Sequence, residues 1–93
     1  MPQSLFVIWS DEAKADLRSI YNSLLFKNSK ETTQKIREEI ISAPEAIVFP
    51  EQYQFDEIHY RYRRIIVRNY KILYRVEDKT IRITSIVDSR YDY

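Results

Sequence analysis

Arginine and tyrosine are interleaved at two places in the last third of the sequence, in Tyr60-Arg61-Tyr62-Arg63-Arg64 and again in Ser89-Arg90-Tyr91-Asp92-Tyr93. Six of the eight tyrosines fall from residue 60 onward, so both residue types are concentrated together. Guanidinium groups hold phosphates by charge and aromatic rings stack on unpaired bases, so the pairing suits an anionic partner, nucleic acid included. Tyrosine adds a weak acid. Charge follows the same division: residues 1–58 carry 6 basic and 10 acidic groups, and residues 59–93 carry 9 basic and 4 acidic, or −4 against +5. Such asymmetry points to an acidic or nucleic-acid partner, or else to an ordinary solvated surface.

Other chemistries lack their residues. With no glycine there is no phosphate-binding glycine loop, and with no cysteine there is no disulfide, thiolate nucleophile or zinc–sulfur site. One histidine cannot assemble a metal site, and no serine has an evident base beside it. His59 reads as a surface or loop-end residue. No cofactor and no metal are expected.

Those basic residues must be positioned by elements that 93 residues can build, which means one domain over 1–93 with one apolar core. Leu5 to Trp9 reads as a short strand running into Ser10-Asp11-Glu12, an N-cap with acidic first-turn residues. Ala13, Leu17, Ile20, Tyr21, Leu24 and Leu25 then recur at helical spacing, and the helix ends near Lys27-Asn28. Ser29 caps a second helix with Ile36, Ile40, Ile41 and Ala43 on one side, ended near Ala43 by Pro44. So short a connection makes the pair an antiparallel hairpin. Ile47 to Phe49 is read as a last apolar turn, and residues 50–58 as a loop. Three strands follow, at about Tyr60–Val67, Tyr70–Val76 and Thr80–Val87, with Asn69 expected to take the positive φ of the first tight turn. The fold class is α+β: an N-terminal strand, a helical hairpin and a three-stranded antiparallel meander (β-α-α-β-β-β), forming a four-stranded sheet with helices on one face.

With two-residue loops in both hairpins, alternation places Ile65, Val67, Tyr70, Ile72, Tyr74, Val76, Ile81, Ile83 and Val87 on the core face. The opposite face receives Arg64, Ile66, Lys71, Leu73, Arg75, Arg82, Thr84 and Ile86, with Arg90 joining if the strand continues regularly. In that register Arg75 lies across from Arg82, a like-charge pair that costs roughly a few tenths of a kcal/mol unless an anion intervenes. The face lacks acidic residues until Asp88. It reads as a binding surface, with Arg61, Arg63, Arg64, Arg75 and Arg82 as its ligand-holding residues, or as exposed strand whose long basic side chains discourage edge pairing.

The order of elements, with Ile8-Trp9-Ser10 entering the first helix and Phe49-Pro50 after the second, resembles the RelE/ParE toxin superfamily. Residues Tyr62 to Val76 are similar to its strand, short loop and aromatic-basic-aliphatic-aliphatic-Tyr strand, and Ile86-Val87-Asp88-Ser89-Arg90 resembles its closing strand. The resemblance implies the toxin of a type II toxin–antitoxin module, of the kind linked to plasmid stabilisation and growth inhibition, held by a cognate antitoxin in a hetero-oligomer. ParE-like members inhibit DNA gyrase, and that reading is slightly favoured. RelE-like members are endoribonucleases that cleave mRNA on the ribosome, and a non-toxic binding module of the same fold is a further alternative. For a nuclease the carry-over would make Lys71, Arg90, Tyr91 and Tyr93 catalytic, a guanidinium beside a tyrosine favouring its phenolate. Two departures stand against that set: lysine occupies the central-strand arginine position at Lys71, and Asp92 stands where the YoeB-type tail has histidine. No apolar run approaches the ~20 residues of a membrane span, and the five from Leu5 to Trp9 lack the flanks of a signal peptide, so no membrane partner and a cytoplasmic location are expected.

Overall fold

Ser10 makes the first junction of the fold. Its hydroxyl accepts the Ala13 N–H at 3.0 Å as an N-cap and donates to the Thr84 carbonyl at 2.9 Å, tying a helix start to a strand. The computed structural model describes residues 5–91. Strand β1 (Phe6–Trp9) leads through Ser10 into α1 (Asp11–Lys27), which Asn28 closes by returning its N–H to the Leu24 carbonyl. Ser29 caps α2 (Lys30–Ser42) by accepting the Thr32 N–H, and a 3-10 turn at Ala43–Ala46, with buried Pro44 inside it, ends the hairpin. Strands β2 (Arg63–Val67), β3 (Tyr70–Glu77) and β4 (Thr80–Asp88) form the meander. The sheet order is β1-β4-β3-β2, with β1 parallel to β4 and the other pairs antiparallel.

The helices cover one face, as expected. Ala13 of α1 and Ile36 and Ile40 of α2 pack with Ile65, Tyr70, Ile72, Tyr74, Ile81, Ile83 and Ile86 in a single buried cluster. Both hairpins have two-residue loops, with Val67 paired to Tyr70 and Glu77 to Thr80.

Four local expectations are corrected. Positive φ falls on Arg68 (55°) and Asp78 (54°), the first residue of each loop, and not on Asn69. Strand β2 begins at Arg63 rather than near Tyr60, because the Tyr62 N–H closes a turn on the His59 carbonyl just before it. Ile47 to Phe49 is not a helical turn: Ile47 is buried, Val48 and Phe49 are exposed, and a 3-10 turn follows at Pro50–Gln52. The fourth is a β-bulge. Leu73 pairs with Ser85 but Tyr74 pairs with Ile83, leaving Thr84 as the extra residue. The bulge reverses the alternation of β4 beyond it, so Ile86 enters the core at 5 % exposure and Val87 moves to the outer face with its partner Lys71. Where β1 has ended, α1 supplies the missing acceptor: Asp16 takes the Ile86 N–H at 2.9 Å.

Candidate functional site

Each basic residue of the outer face is placed by its strand register and by the carboxylate that register brings near it. Arg64 and Lys71 project from neighbouring strands, β2 and β3, and both reach Oδ1 of Asp56, at 3.2 and 3.0 Å. Asp56 lies in the loop that wraps the β2 edge. Phe55 bridges to Arg63, and the Arg64 N–H donates to the Gln54 carbonyl, so the loop runs as a short antiparallel flap. Its carboxylate is fully buried, and Oδ2 accepts the Ile58 and His59 backbone N–H groups at 3.1 and 2.8 Å. Burial alone would raise the Asp56 carboxyl. The His59 N–H, the Lys71 ammonium, the Arg64 guanidinium and the Ile58 N–H overcome it and hold the group far below the usual carboxylate range.

Asp56 was not picked out by sequence reasoning. The expectation that this face lacks acidic residues until Asp88 is therefore corrected: Asp56 reaches it from a loop, and Glu77 meets Arg75 and Arg82 on it. An aspartate two and three residues before the N–H groups it accepts is a local turn signal that residues 56–59 carry. Its long-range partners have no such signal.

Arg75 and Arg82 face each other across β3 and β4, as the register predicts. The anion between them is Glu77, whose two oxygens take Arg75 at 2.9 Å and Arg82 at 2.8 Å. Leu73, in the middle of the face, is only 2 % exposed.

Arg61 and Arg63 belong to a different place. Together with Arg75 and Phe55 they line an open cleft of about 400 Å³ at the end of β2. Arg63 pairs with Tyr74 and so lies toward the helix side; it donates to the Tyr53 carbonyl at 2.7 Å and sits 4.1 Å above the Phe55 ring. Arg61 lies 5.9 Å from the exposed ring of Tyr60. Among the described residues neither arginine has a carboxylate within ion-pair distance.

Arg90 does not join the outer face. The bulge turns the end of β4 toward the helices, where Arg90 lines a second cleft of about 520 Å³ with Ser23, Lys27 and Tyr70. There it is paired with Asp88 at 2.7 Å, which raises the guanidinium pKa and lowers that of the carboxyl. Tyr91 is exposed, with Arg90 5.5 Å from its ring. Tyr93 and Asp92 lie outside the described residues. Tyr70 and Tyr74 are core residues whose phenols burial pushes up, so neither is poised to ionise. The structure thus brings Lys71 and Arg64 together, groups Arg61, Arg63 and Arg75, and separates Lys71 from Arg90 by the sheet. Among the described residues no three His, Asp or Glu side chains gather as metal ligands, and no helix is long and apolar enough to cross a membrane.

Among curated protein sequences no significant relative was found. A solved structure described as the chromosomal ParDE TA system from P. aeruginosa superposes with a TM-score of 0.77 at 21% identity, covering 91% of this chain and 96% of that one, which establishes the likeness of fold. The family model for the ParE toxin of the type II toxin-antitoxin system, parDE, matches residues 7–93. A match over nearly the whole chain, on a strand, helical hairpin and three-stranded meander in that order, means that the protein belongs to the ParE toxin family of type II toxin–antitoxin systems.

Proposed function

We propose that this toxin arrests growth by binding DNA gyrase, without catalysis, and that a cognate antitoxin neutralises it by covering its basic surface. The observation that carries the reading is the separation of Lys71 from Arg90. An acid–base RNA cleavage needs its proton-transfer groups within hydrogen-bond reach of one scissile phosphate. Here Lys71 is tied to buried Asp56 on one side of the sheet, and Arg90 to Asp88 on the other. Membership of the ParE family points the same way. A protein that acts by occupancy needs only a rigid surface with complementary charge, which a glycine-free four-stranded sheet supplies.

The test is induction of the wild type and of Arg90→Ala in cells lacking the antitoxin, with growth, an SOS reporter and mRNA 5′ ends followed together, alongside a supercoiling assay with purified gyrase. Expected are arrest with SOS induction, intact messages, and supercoiling inhibition that saturates near a stoichiometric ratio of toxin to gyrase. Codon-positioned message cleavage with undisturbed supercoiling would replace this reading with the ribosome-dependent nuclease. Unaffected growth would leave a non-toxic binding module.

A further inference from the structure

Three walls meet beside Arg90. Ser19, Ser23 and Lys27 follow one another at four-residue spacing along α1, so they stack on one face of the helix. That face lines the cleft of about 520 Å³ whose other walls are the β2–β3 turn, with Arg68 and Asn69, and the end of β4, with Asp88 and Arg90. The last two walls are fixed to each other, because the Ser89 N–H and hydroxyl both donate to the Asn69 carbonyl, at 2.7 and 2.8 Å. Each arginine is held as well. Glu39 takes Nε and Nη2 of Arg68, and Asp88 takes Nε and Nη2 of Arg90, so one edge of each fork is clamped while Nη1 makes no hydrogen bond among the described residues. Lys27 has no described carboxylate within ion-pair distance. Asn28 turns its N–H and its side-chain amide onto the Leu24 carbonyl, which weakens the repulsion that an anion meets at a helix C-terminus. The floor is apolar, made by Ile20, Leu24, Ile36 and Tyr70, and Tyr91, 69% exposed, adds a ring to the lining.

We infer that this cleft binds a nucleoside monophosphate, with its phosphate on Lys27, Arg68 and Arg90 and its base against the apolar floor. The volume lies within the roughly 300–1,000 Å³ of small-molecule sites, which combine an apolar lining with a few convergent polar groups. Guanidinium forks with an open edge are suited to phosphate oxygens. Three cations stand against two carboxylates, Asp88 and Glu39, an excess that suits one phosphate group and not a chain of them. A polynucleotide would set its further phosphates against those same carboxylates. Ser19, Ser23 and Asn69 add hydroxyl and amide groups that can bond phosphate and ribose oxygens. Burial keeps the Tyr70 phenol protonated beside Asp88 and Arg90, so it can donate a hydrogen bond there and adds no negative charge. The inference is independent of the growth target proposed above.

The test uses the whole protein, labelled with ¹⁵N, and four probes: AMP, inorganic phosphate, adenosine and a ten-nucleotide oligothymidine. AMP is expected to shift the amides of Ser23, Lys27, Asn69 and Arg90 together, and phosphate and adenosine each to bind about tenfold more weakly at the same amides. Charge reversal in Lys27→Glu, an exposed site whose variant should keep a dispersed spectrum, should weaken AMP about tenfold at low salt. Adding a cation to the same helix face in Ser19→Lys should tighten it about twofold, a gain that damage to the fold cannot produce. No shifts at millimolar AMP, shifts confined to the cleft beside Arg61, or adenosine binding as tightly as AMP would overturn the inference. So would phosphate binding as tightly as AMP, which would leave an oxyanion site with no place for the nucleoside. Oligothymidine binding more tightly than AMP would overturn it too and make the cleft a nucleic-acid site.

Discussion

Asp56 decides how the outer face is to be understood, because the two cations drawn to it, Arg64 and Lys71, are 12% exposed and the carboxylate not at all. Removing one member of such a set leaves the others buried and uncompensated. Asp56→Asn is therefore expected to lose about 2–4 kcal/mol of unfolding free energy at pH 7, less than a fully dry pair because the cations reach solvent. The pH dependence has a definite direction. An unfolded aspartate titrates near ~3.9 and the folded one well below, so the stabilisation is complete above pH ~5 and is lost progressively in more acidic solution. Urea melts of wild type and Asp56→Asn at pH 7 and pH 3 should show the gap between them narrowing in acid; a gap of constant width would mean that the carboxylate charge is not its source. The residue types of this site were legible in the sequence, since Lys71, Arg64, Arg75 and Arg82 sit where two-residue loops and alternation put them. Their partner was not, because Asp56 meets Lys71 only after the chain has turned back over the β2 edge.

At the scale of elements, periodicity located both helices and all four strands, and it failed where one residue is inserted without a compositional mark. The bulge at Thr84 has no glycine to announce it, yet it exchanges Ile86 for Val87 in the core and carries Arg90 to the helix side. What holds it is contributed by α1 and by β3: Ser10 donates to the Thr84 carbonyl, Thr84 Oγ1 donates to the Leu73 carbonyl, and Asp16 accepts the Ile86 N–H. That last bond is the one whose loss strands a backbone donor beside a buried side chain, at a cost of about 1–3 kcal/mol. Asp16→Ala should lower stability by that amount and speed hydrogen exchange at Ile86 more than at Ile72, while Asp16→Asn, which keeps an acceptor oxygen, should recover most of the protection. Equal exchange at Ile86 in wild type and Asp16→Ala would assign the bulge to Ser10 and Thr84 alone. The two turns show the same limit of sequence reading: a chain without glycine places a side chain at positive φ, and in both hairpins the first loop residue takes it, Arg68 in one and Asp78 in the other.

For the molecule as a whole, part of the imbalance of −4 against +5 between the two parts of the chain is met by ion pairs that join them. Glu39 from α2 meets Arg68, and Asp56 meets Arg64 and Lys71, while Glu77 and Asp88 serve their own strands. The pairs of Arg68, Arg75, Arg82 and Arg90 are exposed enough that solvent and salt screen them, so they add little to stability, and the Asp56 cluster is sheltered from ions. The core of isoleucines and tyrosines, which salt does not weaken, carries the fold. Folding and binding should therefore separate in a salt series. Between about 0.05 and about 0.5 M NaCl the urea midpoint is expected to move little, whereas affinity for an acidic partner, drawn by Arg61 and Arg63, should fall several-fold as the Debye length shortens. If the midpoint fell as steeply as the affinity, the exposed ion pairs and not the apolar cluster would be holding the helices to the sheet, and substituting Glu39 or Glu77 would then unfold the protein. If neither moved, the anion-seeking role of Arg61 and Arg63 would be lost, because an attraction between charges in an open cleft cannot be indifferent to salt.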